Sequence, residues 1–299
     1  MTFRLLRQEL TFRILSAALG ISSLGANAFA QELGDLFEDP SANWLREESS
    51  REESEGEEEE PLETDRDSFT PSTTVVGAGR TLFESSYSFI ENRTADNSHS
   101  FPEILTRYGL TKNLELRLGW NYEMGGGGSV SGSGDPGEEE LLTGSARETR
   151  ILYGLKAALT EQEGWLPQSA VIVQATTPTS GPATATQFTT GYVFGWQLPN
   201  DWKLDSSMRY GDSVEEGDHF NHWAPSVVLK IPLSDQINVH GEYFGIFTQN
   251  RATNQAAQYL SPGIHYLVSS NCEVGVRVGW GITPSAAQFF SNVGLGWRF

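Results

Sequence analysis

The stretch Leu114-Glu115-Leu116-Arg117-Leu118-Gly119-Trp120-Asn121-Tyr122-Glu123 alternates without a fault. Leu114, Leu116, Leu118, Trp120 and Tyr122 occupy one face, and Glu115, Arg117, Gly119, Asn121 and Glu123 the other. A period of two over ten residues predicts a strand with an apolar and a polar face. A water-soluble sandwich alternates in the same way, so the decision comes from extending the reading outward.

Eleven more segments follow the same grammar, giving predicted strands at 81–91, 99–110, 113–123, 147–159, 169–177, 188–198, 202–210, 220–231, 237–246, 258–268, 272–281 and 289–299. None of the twelve apolar faces carries a charge. The opposite faces carry the acids Glu84, Glu103, Glu115, Glu123, Glu148, Asp205, Glu242 and Glu273 and the bases Arg107, Arg117, Arg150, Lys156, Lys203, Arg209, Lys230, Arg277 and Arg298. A sandwich would turn the apolar faces inward; a transmembrane barrel does the reverse.

Aromatics gather at both strand ends, with Trp120, Tyr122, Tyr210, Tyr243 and Trp280 toward one rim and Tyr108, Trp165, Trp202, Tyr266 and Trp297 toward the other. Two such girdles suit two bilayer interfaces. Short turns at Thr111-Lys112, Pro199-Asn200-Asp201, Ser234-Asp235-Gln236 and Ser269-Ser270-Asn271 interleave with longer loops, the outer-membrane arrangement. The turns beginning at Leu198, Leu233 and Val268 repeat every 35 residues, one hairpin and its loop each time. The chain stops on Val293, Leu295, Trp297 and Phe299, an aromatic ending that suits recognition by the outer-membrane assembly machinery. The expected fold is an all-β, antiparallel, up-and-down transmembrane barrel of about twelve strands, with outer-membrane lipids around it.

The segments before the barrel read differently. Arg4, Arg7 and Arg13, an apolar run from Ile14 to Leu24 and the ending Ala28-Phe29-Ala30 make residues 1–30 a cleavable export signal. Residues 31–72 read as an acidic, disordered periplasmic linker, and residues 73–299 as the barrel. From Glu32 to Ser68 there are 16 acidic and 3 basic residues, a composition that repels itself and buries little. Leu36, Phe37, Trp44 and Leu45 give that segment a gating or docking alternative. The formal charge of −19 argues against nucleic-acid partners, and the single Cys272 excludes a disulfide scaffold.

Function is expected in the lumen. Its near balance of charge predicts cross-strand ion pairing in a narrow, constricted or partly plugged channel. The candidate lumen and constriction residues are Glu103, Arg107, Glu115, Arg117, Glu148, Arg150, Lys203, Asp205, Arg209, Glu242, Glu273 and Arg277. His222, His240 and His265 fall on the inward face without close carboxylate or Cys partners in sequence, so neither a metal nor another cofactor is expected. No Gly-x-Ser-x-Gly elbow is present and no catalytic residue is assigned. The glycines and acids between Met124 and Ala146 read as a surface loop, with calcium binding as the alternative. Pro102, Pro225 and Pro262 near one rim read as strand-entry residues, with a gap in the wall for sideways solute exit as the alternative.

The run Phe101-Pro102-Glu103-Ile104-Leu105-Thr106-Arg107-Tyr108-Gly109-Leu110-Thr111, continuing through Asn113 to Trp120, resembles a bacterial outer-membrane family named for the MetA pathway of phenol degradation. The likeness covers residues 73 to 299, including the Gly-Trp-Arg-Phe ending. It implies an outer-membrane barrel with a transporter role, exported through its signal and located in the outer membrane. The leading expectation is passive passage of small, aromatic or hydrophobic solutes. A structural or adhesive barrel, a lipid-modifying enzyme and a soluble sandwich are the alternatives.

Overall fold

A computed structural model describes residues 62–66, 68–125, 146–181, 185–215, 218–250 and 254–299. The export signal, the linker as far as residue 61 and the glycine-rich connection 126–145 lie outside the described residues. Twelve strands follow in order: β1 Thr81–Glu91, β2 Ser98–Thr111, β3 Leu114–Gly125, β4 Ala146–Thr160, β5 Gln168–Ser180, β6 Gln187–Gln197, β7 Lys203–Glu215, β8 Asp218–Ser234, β9 Ile237–Gln249, β10 Ala256–Ser269, β11 Cys272–Gly281 and β12 Phe289–Arg298. Each pairs antiparallel with its sequence neighbours, and β1 pairs with β12 from Leu82↔Arg298 to Glu91↔Phe289, closing the barrel. The terminal Phe299 is tied in as well, its amide donating to the Thr81 carbonyl at 2.8 Å. Closure leaves no free sheet edge, the condition for a sheet to span a bilayer.

The faces point as the alternation requires. Leu118, Ile151, Tyr153, Ile264, Val276 and Val293 are exposed on the outside, whereas Arg107, Arg117, Arg277, Lys156 and Glu84 are among the most buried side chains. This inversion of the soluble pattern disposes of the sandwich alternative. At one end the connections are 112–113, 161–167, 198–202, 235–236 and 270–271; at the other they are 92–97, 126–145, 181–186, 216–217, 250–255 and 282–288. We call these the turn end and the loop end.

Two sequence expectations need correction. β7 and β8 run on past 210 and start before 220, so the loop expected between them shrinks to 216–217. The extension carries the exposed Asp212, and β4 starts beside the exposed Arg147, so the charge-free outer face ends where the strands rise above the apolar band. The second concerns residues 62–72, assigned to the solvated linker. Nearly all of the described residues of that stretch are buried, because they lie inside the barrel.

The prolines mark breaks in the ladders. The β2–β3 register shifts between Ser100 and Glu103, flanking Pro102. Pairing of β8 with β9 lapses between Trp223 and Ser226, around Pro225, and that of β10 with β11 between Leu260 and Gly263, around Pro262. Each proline lacks the amide that a ladder bond would need.

Candidate functional site

Two places in the wall set basic side chains opposite each other. Arg107 of β2 pairs in register with Arg117 of β3, and Lys203 of β7 with Lys230 of β8. Directly opposed like charges destabilise a sheet unless a counter-charge reaches both. The wall does not supply it all; the segment Leu62–Val76 does.

This segment enters at the turn end, where Leu62 packs with Val76 and Leu82. Glu63 meets Lys203 there, with Nζ to Oε1 at 2.5 Å and to Oε2 at 2.7 Å, and accepts the Thr74 hydroxyl at 2.9 Å. Burial alone would raise the Glu63 carboxyl, but the Lys203 and Lys230 ammonium groups outweigh it and hold the carboxyl at about 2.

Asp65 is the hub of the middle layer. Its Oδ2 accepts Arg117 Nη1 at 2.5 Å, Lys156 Nζ lies at 3.4 Å, and Arg107 Nη1 stands 3.5 Å from Oδ1. Oδ1 also accepts the amide and the hydroxyl of Ser72, each at 2.9 Å, so one carboxylate closes the loop on itself and anchors it to the wall. Burial opposes ionisation here too, yet Arg107, Lys156 and Arg117 keep the Asp65 carboxyl well below its ordinary range. Around it, Arg107 forks onto Glu115 with two bonds of 2.9 Å and donates to the carbonyls of Glu63 and Thr74 at 3.1 and 3.2 Å. Glu84 Oε2 accepts the amides of Asp65 and Arg66, each at 2.9 Å, and Glu115 Oε2 accepts that of Val76 at 2.8 Å. Arg66 reaches Glu103 at 3.3 Å, and the Thr64 hydroxyl reaches Glu273 at 3.2 Å.

The tip of the segment lies deepest. Glu242 accepts the Phe69 amide at 3.0 Å, the Thr70 amide at 2.7 Å and the Thr70 hydroxyl at 2.8 Å, and also pairs with Arg277 at 3.3 Å. The Phe69 ring stacks on Phe244, with centroids 4.1 Å apart and planes 14° from parallel, and the Arg209 guanidinium covers its other side at 3.9 Å. Arg209 also donates to the Phe69 carbonyl at 2.9 Å.

All twelve residues expected in the lumen are therefore inside the wall, and most of them meet the segment. Glu148 and Arg150 pair with each other at 2.8 Å near the start of β4. Asp205 is fully buried beside Lys203 at 3.7 Å. His240 Nδ1 lies 2.6 Å from His265 Nε2, whose ring Nδ1 faces Glu273 at 3.6 Å, so these histidines join the polar network. Sequence reasoning missed the segment's own contribution, from Glu63, Asp65, Arg66, Phe69, Thr70, Ser72 and Thr74. A weak signal for it exists: the glutamate run stops at Pro61, and Ser and Thr take over through Thr74.

The packing leaves little room. A pocket between Thr64 and Arg66 of the segment and Glu273, Arg277 and Asn292 of the wall has space for about one water molecule. Glu103, Glu115, Arg117, Lys156 and Asp205 are fully buried, so this layer of the lumen is filled.

Comparison with known proteins agrees with this architecture. An outer membrane channel from Pseudomonas putida F1 superposes with a TM-score of 0.53 at 12% identity, over 76% of this chain and 98% of that one. The NanC porin gives a TM-score of 0.47 at 8% identity over 73% of this chain and 98% of the porin. At 12% identity the likeness to the channel concerns the fold alone. No curated protein matches the sequence. The model of the family described as "Putative MetA-pathway of phenol degradation" matches residues 64–299, from the lumenal segment to the last strand, and the chain belongs to that family.

Proposed function

We propose that this protein is an outer-membrane channel for passive passage of small, aromatic or hydrophobic solutes, closed here by its own residues 62–76. One observation carries the reading. The lumen is filled by a separate segment held through ion pairs and hydrogen bonds, while the wall's own charges stay mismatched, as at Arg107↔Arg117. A barrel with a purely structural or adhesive role gains nothing from such a wall, since apolar side chains would fill it at lower desolvation cost. Withdrawing the segment exposes a lumen of both charge signs, which water enters readily.

Planar-bilayer conductance tests this. Protein refolded in detergent, with folding verified by a heat-dependent gel shift, is compared with a form lacking residues 31–76. Near silence from the full chain and steady conductance from the shortened barrel are expected. Silence from a folded, shortened barrel overturns the open-channel mechanism.

The ladder breaks at Pro225 and Pro262 favour a second reading, sideways exit of apolar solute through the wall. A disulfide designed across the β8–β9 break would then abolish transport of an apolar solute and leave ion conductance untouched.

A further inference from the structure

Inward positions of this barrel carry most of its charge, and toward the loop end they include one cluster rich in aromatic rings. Toward the loop end, Ala224 of β8, Phe244 of β9, Ala257 and Tyr259 of β10 and Phe290 of β12 are buried in one cluster with Phe69, whose ring meets that of Phe244. Tyr259 stacks on Phe244 at 4.8 Å, and Phe290 meets Phe244 edge-on at 5.9 Å. The result is a box in which Phe244, packed against Tyr259 and Phe290, forms one wall and the Arg209 guanidinium the other, with the Phe69 ring between them. Every wall of the box belongs to the barrel, but its occupant belongs to the inserted segment. The occupant's anchors are polar and backbone-mediated, so the box does not need a phenylalanine to hold its own shape.

We infer that this box is a binding site for a monoaromatic solute, occupied in the closed barrel by Phe69 as a tethered stand-in. Stacking on Phe244 and the Arg209 charge over the opposite face select a flat π-system over a saturated ring of equal size. An external aromatic competes with Phe69 for the same walls, so its binding favours withdrawal of the tip. The inference deepens the channel reading and rests on it for that consequence, whereas occupancy of the box is measurable without any transport.

The test uses full-length protein in detergent, checked by gel shift, with fluorobenzene and fluorocyclohexane followed by fluorine NMR. Phe69→Ala empties the box and is expected to bind fluorobenzene saturably, at least about tenfold more tightly than the wild type, whose tethered ring competes. Adding Arg209→Gln is expected to weaken that binding by about 3- to 30-fold, the worth of a desolvated cation over a ring. Fluorocyclohexane is expected to bind several-fold more weakly and to ignore the Arg209 change. Absence of saturable binding by folded Phe69→Ala protein overturns the site. Equal affinity for both ligands, insensitive to Arg209→Gln, overturns it too, because a plain cavity would behave so. If Phe69→Ala fails to fold, Glu242→Gln replaces it: this frees the tip with the box intact, and the same preference must appear. Conductance without ring binding refutes only the site, and ring binding without conductance refutes only the channel.

Discussion

Replacing Asp65 with Asn is the sharpest perturbation of the closed lumen. The shape is kept, and the amide oxygen still accepts the Ser72 amide, so the loop retains its own closure. What disappears is one negative charge, which lies 2.5, 3.4 and 3.5 Å from Arg117, Lys156 and Arg107. Removing one partner of a buried pair leaves uncompensated charge and costs about 3–5 kcal/mol. Glu115 still serves Arg107 and, at 2.8 Å, Arg117, and Glu84 still serves Arg107, so the contacts do not sum beyond that range. In the withdrawn state water solvates all of these groups, so the loss falls on the closed state alone. The open fraction should therefore rise roughly two-hundred- to several-thousand-fold. Bilayer recordings would show this as long openings where the wild type is nearly silent. Trypsin cleavage after Arg66, which is buried in the closed barrel, would rise in parallel, because cleavage tracks the exposed population. A folded Asp65→Asn barrel with unchanged conductance and unchanged cleavage would refute the hub role of Asp65.

Acid should open the barrel only at low pH. Glu63 is held at about 2 when docked and returns to its ordinary value of 4.5 when released. Its contribution to closure is thus complete above about 4.5 and is lost as pH falls through about 2. Asp65, also depressed, acts in the same direction. Conductance recorded from pH 7 downward should stay low past pH 5; opening centred near pH 6 would refute Glu63 and Asp65 as the acid-sensitive latch. On the outer face, Val276→Arg places a charge at an exposed position between Ile264 and Val293. Near the bilayer midplane this should cost about 2–4 kcal/mol, seen as earlier urea unfolding in lipid, whereas a water-exposed face would tolerate it.

Alternation made the barrel legible because each strand must satisfy lipid on one side and a polar lumen on the other. The predicted 81–91 and 272–281 match β1 and β11, since turns and an unbroken apolar row define both ends. The ends of β7 and β8 were missed because Asp212 and His219 break the apolar row after the strands leave the lipid. The inward charges were equally legible, being the other half of the same alternation. The inserted segment was not. Glu63, Asp65 and Arg66 continue the charge of a solvated tail, and what removes them from water is, for the two acids, a set of cations about 40 to 140 residues away and, for Arg66, the carboxylate of Glu103, 37 residues away. No local pattern records such a pairing, and the aromatic box is hidden for the same reason, its walls coming from β8, β9, β10 and β12.

A trace of the segment does survive in the wall, in its like-charge pairs. If Lys203 and Lys230 face each other because Glu63 is always between them, the two lysines are a liability only when Glu63 is absent. Glu63→Gln alone should then weaken closure, leaving two ammonium groups opposed across the β7–β8 ladder and Lys203 with its longer, 3.7 Å contact to Asp205. Lys230→Gln alone should do little, since Lys203 keeps its 2.5 Å contact with Glu63. In the double variant the repulsion is gone along with its counter-ion, so part of the lost closure should return. The coupling in such a cycle is expected at about 1–3 kcal/mol, read from trypsin cleavage after Arg66 in the four proteins. Strict additivity would show that the opposed lysines are accommodated by the wall itself, and that the segment is a passive filling of the lumen instead of its counter-charge.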